Sequence, residues 1–282
     1  MTVDAEARLS AAAVAARCLV AAGALLALVG GLWGAGWFGG TPVGEAAGGA
    51  LASDATLVAP APQAFAIWGV IYGGIALFAV VQALPGHGSG PRIRAAAWPM
   101  LGAMVLNFAW ISVIQHGWLL ASVAVMAGLV ACLGYAAVGL VRRRTASLLE
   151  AAALDLPVGL YLGWASVAAV ANVTALGAWW LGSAPDAGMP AAVGVLIAAT
   201  FLGIAMSRDL APRPVLAWAM AGAVAWGLWW IGEGRLHGTP DDALVGWVAR
   251  AGACIVLLTV LITTVAATIR SVREARRHRP PA

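Results

Sequence analysis

The chain has 282 residues, 62% of them hydrophobic and only 10% charged, with a formal net charge of +4 and a mean hydropathy of +0.90. Soluble domains carry about 25% charged residues, so this composition excludes a soluble globular protein and reads as an all-α integral membrane protein. All 16 basic residues are arginine; a retinal Schiff base, a lysine nucleophile and a P-loop are thereby ruled out, and loop arginines speak for membrane orientation rather than nucleic-acid binding.

Residues 1–16, with Asp4, Glu6 and Arg8, read as a cytoplasmic N-terminal tail. The first apolar run, about 17 to 38, is too long for a signal h-region of about 7–15 residues and reads as a retained span. Gly30 and Gly34, four apart, suit close helix packing. Residues 39–62 form the longest connection, with Glu45 and Asp54 as its only charges. Such a loop is either a binding lid or a disordered segment. The second span, about 63 to 84, follows Pro60 and Pro62, which stop propagation and suit a helix start. On it Phe65, Trp68 and Tyr72 share one face. The third span, about 95 to 114, carries Asn107 and Trp110. The fourth, about 118 to 141, is plain and ends in Arg142-Arg143-Arg144.

The fifth span, 156–181, holds the densest chemistry. Pro157, Tyr161, Trp164, Ala168 and Asn172 fall at i, i+4, i+7, i+11 and i+15, on one helical face. An Asn inside a membrane needs a hydrogen-bond partner, so Asn172 either ties helices together or lines a cavity beside Tyr161 and Trp164. Asp155, just before this span, is expected to pair with Arg142–Arg144. Three further spans run from about 190 to 206, 215 to 231 and 244 to 269, and the basic tail after them is expected to be disordered. Arg250, about two turns into the last span, either snorkels to the interface or pairs with Asp241 or Asp242.

Arginines alternate between the two ends of these eight spans. One end collects Arg92, Arg94, Arg142–Arg144, Arg208, Arg213, Arg270, Arg273, Arg276, Arg277 and Arg279; the other connections hold Arg235 alone. Both termini are therefore expected on the cytoplasmic side of a bacterial membrane. Eleven of the 14 tryptophans then fall towards the outer side: Trp33, Trp37, Trp68, Trp110, Trp118, Trp179, Trp180, Trp226, Trp229, Trp230 and Trp247. They form either a one-sided interfacial belt or an outward-opening aromatic pocket. Gln63, Asn107 and Asn172 lie in the same half, and apolar walls with a few convergent polar groups are the usual small-molecule arrangement. The histidines lie in loops (His87, His116, His237) or the tail (His278), so no pair faces across the bilayer as transmembrane bis-His haem requires. Cys18, Cys132 and Cys254 form no CxxC pair, which argues against a zinc site or disulfide framework. No acidic residue is placed in mid-membrane.

Three motifs now stand in order: Phe65-x-x-Trp68-x-x-x-Tyr72, Asn107-x-x-Trp110, and the run from Pro157 through Tyr161, Trp164 and Ala168 to Asn172. Together they resemble the translocator (TspO/MBR, tryptophan-rich sensory) protein family over roughly residues 14–182. Two features depart from the family pattern. Gln63-Ala64 stands where the family commonly has Trp before the Phe, with Phe-to-Trp spacing one residue shorter, and three spans are added to the family's five. The resemblance implies a five-helix bundle with a pocket between helices 1, 2, 3 and 5 beneath the first loop. It implies a ligand of the porphyrin or sterol kind, and some bacterial members are reported to degrade protoporphyrin in light. Its pocket would be lined by Phe65, Trp68, Tyr72, Asn107, Trp110, Tyr161, Trp164, Ala168 and Asn172.

The resulting organisation is a tail over 1–16, a TspO-like bundle over 17–182, a three-helix membrane extension over 188–270 and a basic cytoplasmic tail over 271–282. The leading reading is a membrane-embedded binder or sensor of a large flat apolar ligand, such as a tetrapyrrole, sterol-like lipid or carotenoid. An enzyme or photochemical catalyst on such a ligand is the second reading, although no nucleophile, metal cluster or acid–base pair stands in the membrane to support it. The third is a structural or transport subunit, with helices 6–8 docking a second copy or a membrane partner.

Overall fold

The computed structural model describes residues 11–84, 87–88, 90–182 and 188–277, residues 276 and 277 as backbone only. The readings made for Asp4, Glu6, Arg8, His278 and Arg279 lie outside the described residues. Eight helices there are long and apolar enough to cross a membrane. They are α1 (Ala11–Gly34), α2 (Ile67–Ala83), α3 (Pro91–Gln115), α4 (Leu119–Val141), α5 (Leu156–Leu181), α6 (Met189–Leu210), α7 (Pro214–His237) and α8 (Ala243–Arg277). Proline opens α3, α5, α6 and α7 within their first two positions, where its missing N–H costs nothing. Gly182 closes α5 in the left-handed conformation, with φ 58.

The helices α1 to α5 form a ring: α1 packs on α2 and α3, α3 on α4, α4 on α5, and α5 back on α2. Gly30 and Gly34 bring α1 onto α3 as their spacing leads one to expect. A Cβ at Gly30 would lie 2.9 Å from Phe108, and one at Gly34 3.2 Å from Ile111.

A second layer stands outside α5. Helix α7 packs on α5, and α8 bridges α7 and α6. Here the small residues are Gly159 and Gly163, again four apart. A Cβ at either would come within 2.7 Å of Ala219 or 2.8 Å of Ala223 on α7. From the other side, a Cβ at Gly227 would lie 2.7 Å from Val167. Lipid tails are as apolar as leucine, so helices associate in a bilayer through such close backbone approach. The contacts therefore run without a break from the ring into α7.

At the arginine end the structure corrects one pairing. Asp155 binds Arg92, not Arg142–Arg144. The Arg92 Nη2 donates to Asp155 Oδ1 at 2.6 Å, and Nη1 donates to Asp155 Oδ2 at 3.1 Å and to Thr145 Oγ1 at 2.8 Å. Both charged groups are buried. The reason is geometric. A turn over Leu148–Glu150, capped by Ser147, and a π-helical segment Ala151–Asp155 lead straight into α5. They carry Asp155 inward against the first turn of α3, whereas Arg142–Arg144 stay exposed. The basic tail is corrected too: α8 continues as helix to Arg277 instead of dissolving near Ile269.

Candidate functional site

At the opposite end the long α1–α2 connection folds into a lid. Helix α1 stops four residues before the expected Phe38, because the chain turns through positive φ at Gly36 (φ 93) and Phe38 (φ 55). Val43 N–H then returns to Gly34 O at 2.9 Å. The Gln115 side chain, at the end of α3, clasps the Thr41 backbone twice, accepting at 3.0 Å and donating at 2.6 Å. Ala46, Leu57, Val58, Ala59 and Ala61 are buried. Of the two readings left open for this loop, the ordered one is seen.

The far half of the lid is held by α7. Arg235 is 1% exposed, and its guanidinium donates to Thr56 O at 3.0 Å, Ser53 O at 2.7 Å and Thr239 O at 3.2 Å. Ala61 N–H donates to Trp230 O at 3.1 Å, and Trp226 Nε1 donates to Ala64 O at 2.8 Å. Residues Pro62–Ala66 form a 3-10 turn that delivers Phe65 and Trp68 beneath the lid.

Under it lies a cavity of about 660 Å³ bounded by α1, α2, α3 and the loop, with Gly31, Val43, Phe65, Trp68, Tyr72 and Trp110 among its walls. A narrower space of about 40 Å³ adjoins it across the shared Phe65, Trp68 and Trp110, walled by Trp164, Ala168 and Asn172 of α5 and Met126 of α4. The aromatic walls brace one another. Trp68 stacks on Tyr72 with centroids 5.1 Å apart and meets Tyr161 and Trp164 edge-on at 5.8 and 6.3 Å, while Phe65 meets Trp164 edge-on at 5.7 Å. Edge-to-face contacts of this kind add to area burial and fix ring orientation. Gly31 is needed where it stands, since a Cβ there would overlap the Tyr72 ring.

Seven of the nine motif residues line these spaces: Phe65, Trp68, Tyr72, Trp110, Trp164, Ala168 and Asn172. Asn107 and Tyr161 do not; they stand behind the wall. Asn107 Nδ2 donates to Tyr72 Oη at 3.3 Å, and Tyr161 Oη donates to Ala103 O at 3.3 Å. Asn172 both lines the space and ties helices together. Its Oδ1 accepts from Trp110 Nε1 of α3 and Ser122 Oγ of α4, each at 3.0 Å, and its Nδ2 donates to Ala168 O at 2.8 Å. The two asparagines do not bond each other; each has another partner. Trp164 Nε1 is the exception to this accounting. It is buried and has no hydrogen-bond partner among the described residues.

Several further residues contribute. Gln115 and Ser122 carried no pattern that marked them. Arg235 did carry one, as the lone arginine on the arginine-poor side. Gly159 and Gly163 formed a visible small-xxx-small pair. The expectation for Arg250 is corrected: its partner is Glu233, with the guanidinium 4.7 Å from the Trp229 ring and 5.6 Å from Trp247. Both Arg250 and Glu233 lie on the facing surfaces of α8 and α7, whereas Asp242 is engaged in capping α8 through Val245 N at 2.9 Å. The tryptophans divide between the two readings. Trp68 and Trp110 wall the cavity, while Trp37, Trp118, Trp179, Trp180 and Trp247 are mostly exposed, as in an interfacial belt. Among the described residues no group of three His, Cys, Asp or Glu could hold a metal ion.

A family model described as TSPO-like protein matches residues 17–262, from α1 through most of α8. No curated protein and no solved structure matches the chain.

Proposed function

The chain belongs to the TSPO-like protein family and is an integral membrane protein, with eight long apolar helices among its described residues, and from that premise we propose that it binds and senses a large flat apolar ligand. A tetrapyrrole, a sterol-like lipid or a carotenoid has the required shape. The observation that carries this reading is the cavity of about 660 Å³ with four aromatic walls under an ordered lid. Small-molecule sites run from about 300 to 1,000 Å³, are mostly apolar, and use few polar groups to orient the ligand. Trp164 lines the narrower space beside this cavity, and its buried Nε1 lacks a partner among the described residues; a ligand edge carrying an acceptor into that space would relieve the desolvation cost of the donor. The arginine distribution supports cytoplasmic termini and a lid facing outward from a bacterial cytoplasmic membrane.

Mass spectrometry of protein purified from its native membrane tests the reading, with protoporphyrin IX titration as a second measurement. A flat apolar molecule retained near one per chain, or saturable porphyrin binding, is expected. Failure to retain or bind any porphyrin, sterol or carotenoid would contradict it.

A further inference from the structure

A second cavity lies outside the ring, at the arginine end. It is a cleft of about 590 Å³ between the first turns of α3 and the last turns of α4, lined by Arg94, Trp98, Pro99, Tyr135, Arg142 and Arg143 with the small Ala95 and Gly139 between them. Helices α3 and α4 are antiparallel, so the chemistry is graded with depth. Arg94 on α3 and Arg142 and Arg143, just past the end of α4, stand at the mouth. Trp98 lies one turn further in, about 6 Å at 1.5 Å per residue. Tyr135 lies at least as deep on α4. Gly139 sits against Ala95, where an added Cβ would lie 3.3 Å from the Ala95 Cβ. Small residues thus floor the cleft while the two aromatic rings flank it.

Three observations point to an occupant. No acidic side chain lines the cleft, and the buried carboxylate at this end of the molecule, Asp155, is already bound by Arg92. The Arg94 and Arg142 side chains have no partner among the described residues, and Arg143 spends one nitrogen on Gly139 O at 2.8 Å. Trp98 and Tyr135 are 59% and 72% exposed, which leaves broad ring surface turned towards the surroundings of a membrane helix pair. Cations above amphipathic rings match the layering of a lipid at the interface, and basic pockets between membrane helices recognise anionic head groups.

We propose that this cleft binds one anionic phospholipid, its phosphate held by Arg94, Arg142 and Arg143 and an acyl chain laid along Trp98, Val138 and Tyr135. A free phosphate would satisfy the arginines but leave the rings uncovered. A zwitterionic head group would leave the uncompensated positive charge in place. The site is separate from the lidded cavity, so the proposal stands whether or not that cavity binds a flat ligand.

The test reconstitutes the full chain in equal parts phosphatidylglycerol and phosphatidylcholine and counts retained lipids by native mass spectrometry. Wild type should retain phosphatidylglycerol preferentially, and its melting temperature should rise with phosphatidylglycerol but not with inorganic phosphate. R94Q and R142Q should each weaken retention about fivefold, the effect of removing one interfacial charge. R208Q, which removes an exposed charge at the same end but outside the cleft, should retain lipid as wild type does. W98A should reduce retention of both lipids. The three arginines are exposed, so their replacement leaves the packed core intact. The proposal is overturned if R94Q and R142Q retain lipid like wild type, or if R208Q loses as much. It is equally overturned if wild type shows no preference for phosphatidylglycerol, or if inorganic phosphate stabilises it as well as the lipid does.

Discussion

Trp164 is packed against Phe65 and Trp68, yet its indole nitrogen donates to nothing among the described residues. Phenylalanine in its place keeps an aromatic wall and removes the donor. Trp164→Phe is therefore expected to lower thermal stability modestly, through the smaller ring at a buried site, and to weaken the ligand by about 0.5–1.5 kcal/mol, the net worth of one hydrogen bond. Equal binding by Trp164→Phe would show that the ligand brings no acceptor there. Asn172 behaves differently, because its oxygen serves Trp110 and Ser122 on two other helices. Asn172→Ala orphans the buried Trp110 indole N–H, while Ser122 keeps Leu119 O at 2.7 Å, and should cost about 1–3 kcal/mol of stability before any ligand is considered. At the arginine end, Asp155→Asn removes the nearer of the two carboxylates paired with buried Arg92, leaving Glu150 at 3.7 Å; a loss of up to about 3–5 kcal/mol is expected in thermal unfolding in detergent. An unchanged unfolding curve would show that Glu150 alone suffices as the counter-charge of Arg92. The need of Asn172 for a partner was legible in the sequence. Which partner it takes was not, since that depends on how α3 and α4 present Trp110 and Ser122.

The elements themselves were largely readable. Apolar runs punctuated by Pro and Gly mark eight spans, and α5 begins and ends where its pattern does. The junctions were less so: the 3-10 turn before α2 and the π segment before α5 depend on tertiary contacts that periodicity does not report. Least visible was the link between α7 and the lid, which joins Arg235 to Ser53 across 182 positions in the chain. A buried arginine with three carbonyl acceptors is a strong tether, because bonds from charged donors are worth about 1.5–3 kcal/mol each. Arg235→Gln should free the Ser53–Thr56 stretch, which hydrogen exchange would read as lost protection over residues 53–61. Dissociation of a bound porphyrin should quicken about tenfold or more. Unchanged protection over the loop would mean that Gln115 and the buried apolar residues hold it without help from α7.

On the scale of the whole molecule, two ends with different chemistry are joined by one continuous core. One end carries the lid, the lone Arg235 and most of the tryptophans; the other carries the remaining loop arginines and the α3–α4 cleft. Orientation is testable in a cysteine-free background. A cysteine at position 45, in the lid, should label from outside the cell, and one at position 144 only from the cytoplasm. The reverse pattern would contradict the arginine argument. The family model runs through α6 and α7 into α8, in keeping with the close packing of α7 on α5. Binding in the lidded cavity is tested most directly by comparing two tryptophans. Trp68 stands in the cavity wall, whereas Trp218 lies on α7, lines neither space and is 40% exposed. Porphyrin titration of the two alanine variants should show Trp68→Ala weakened by roughly 1–3 kcal/mol, the scale of one buried aromatic, and Trp218→Ala unchanged. Wild-type affinity in Trp68→Ala together with lost affinity in Trp218→Ala would place the site elsewhere.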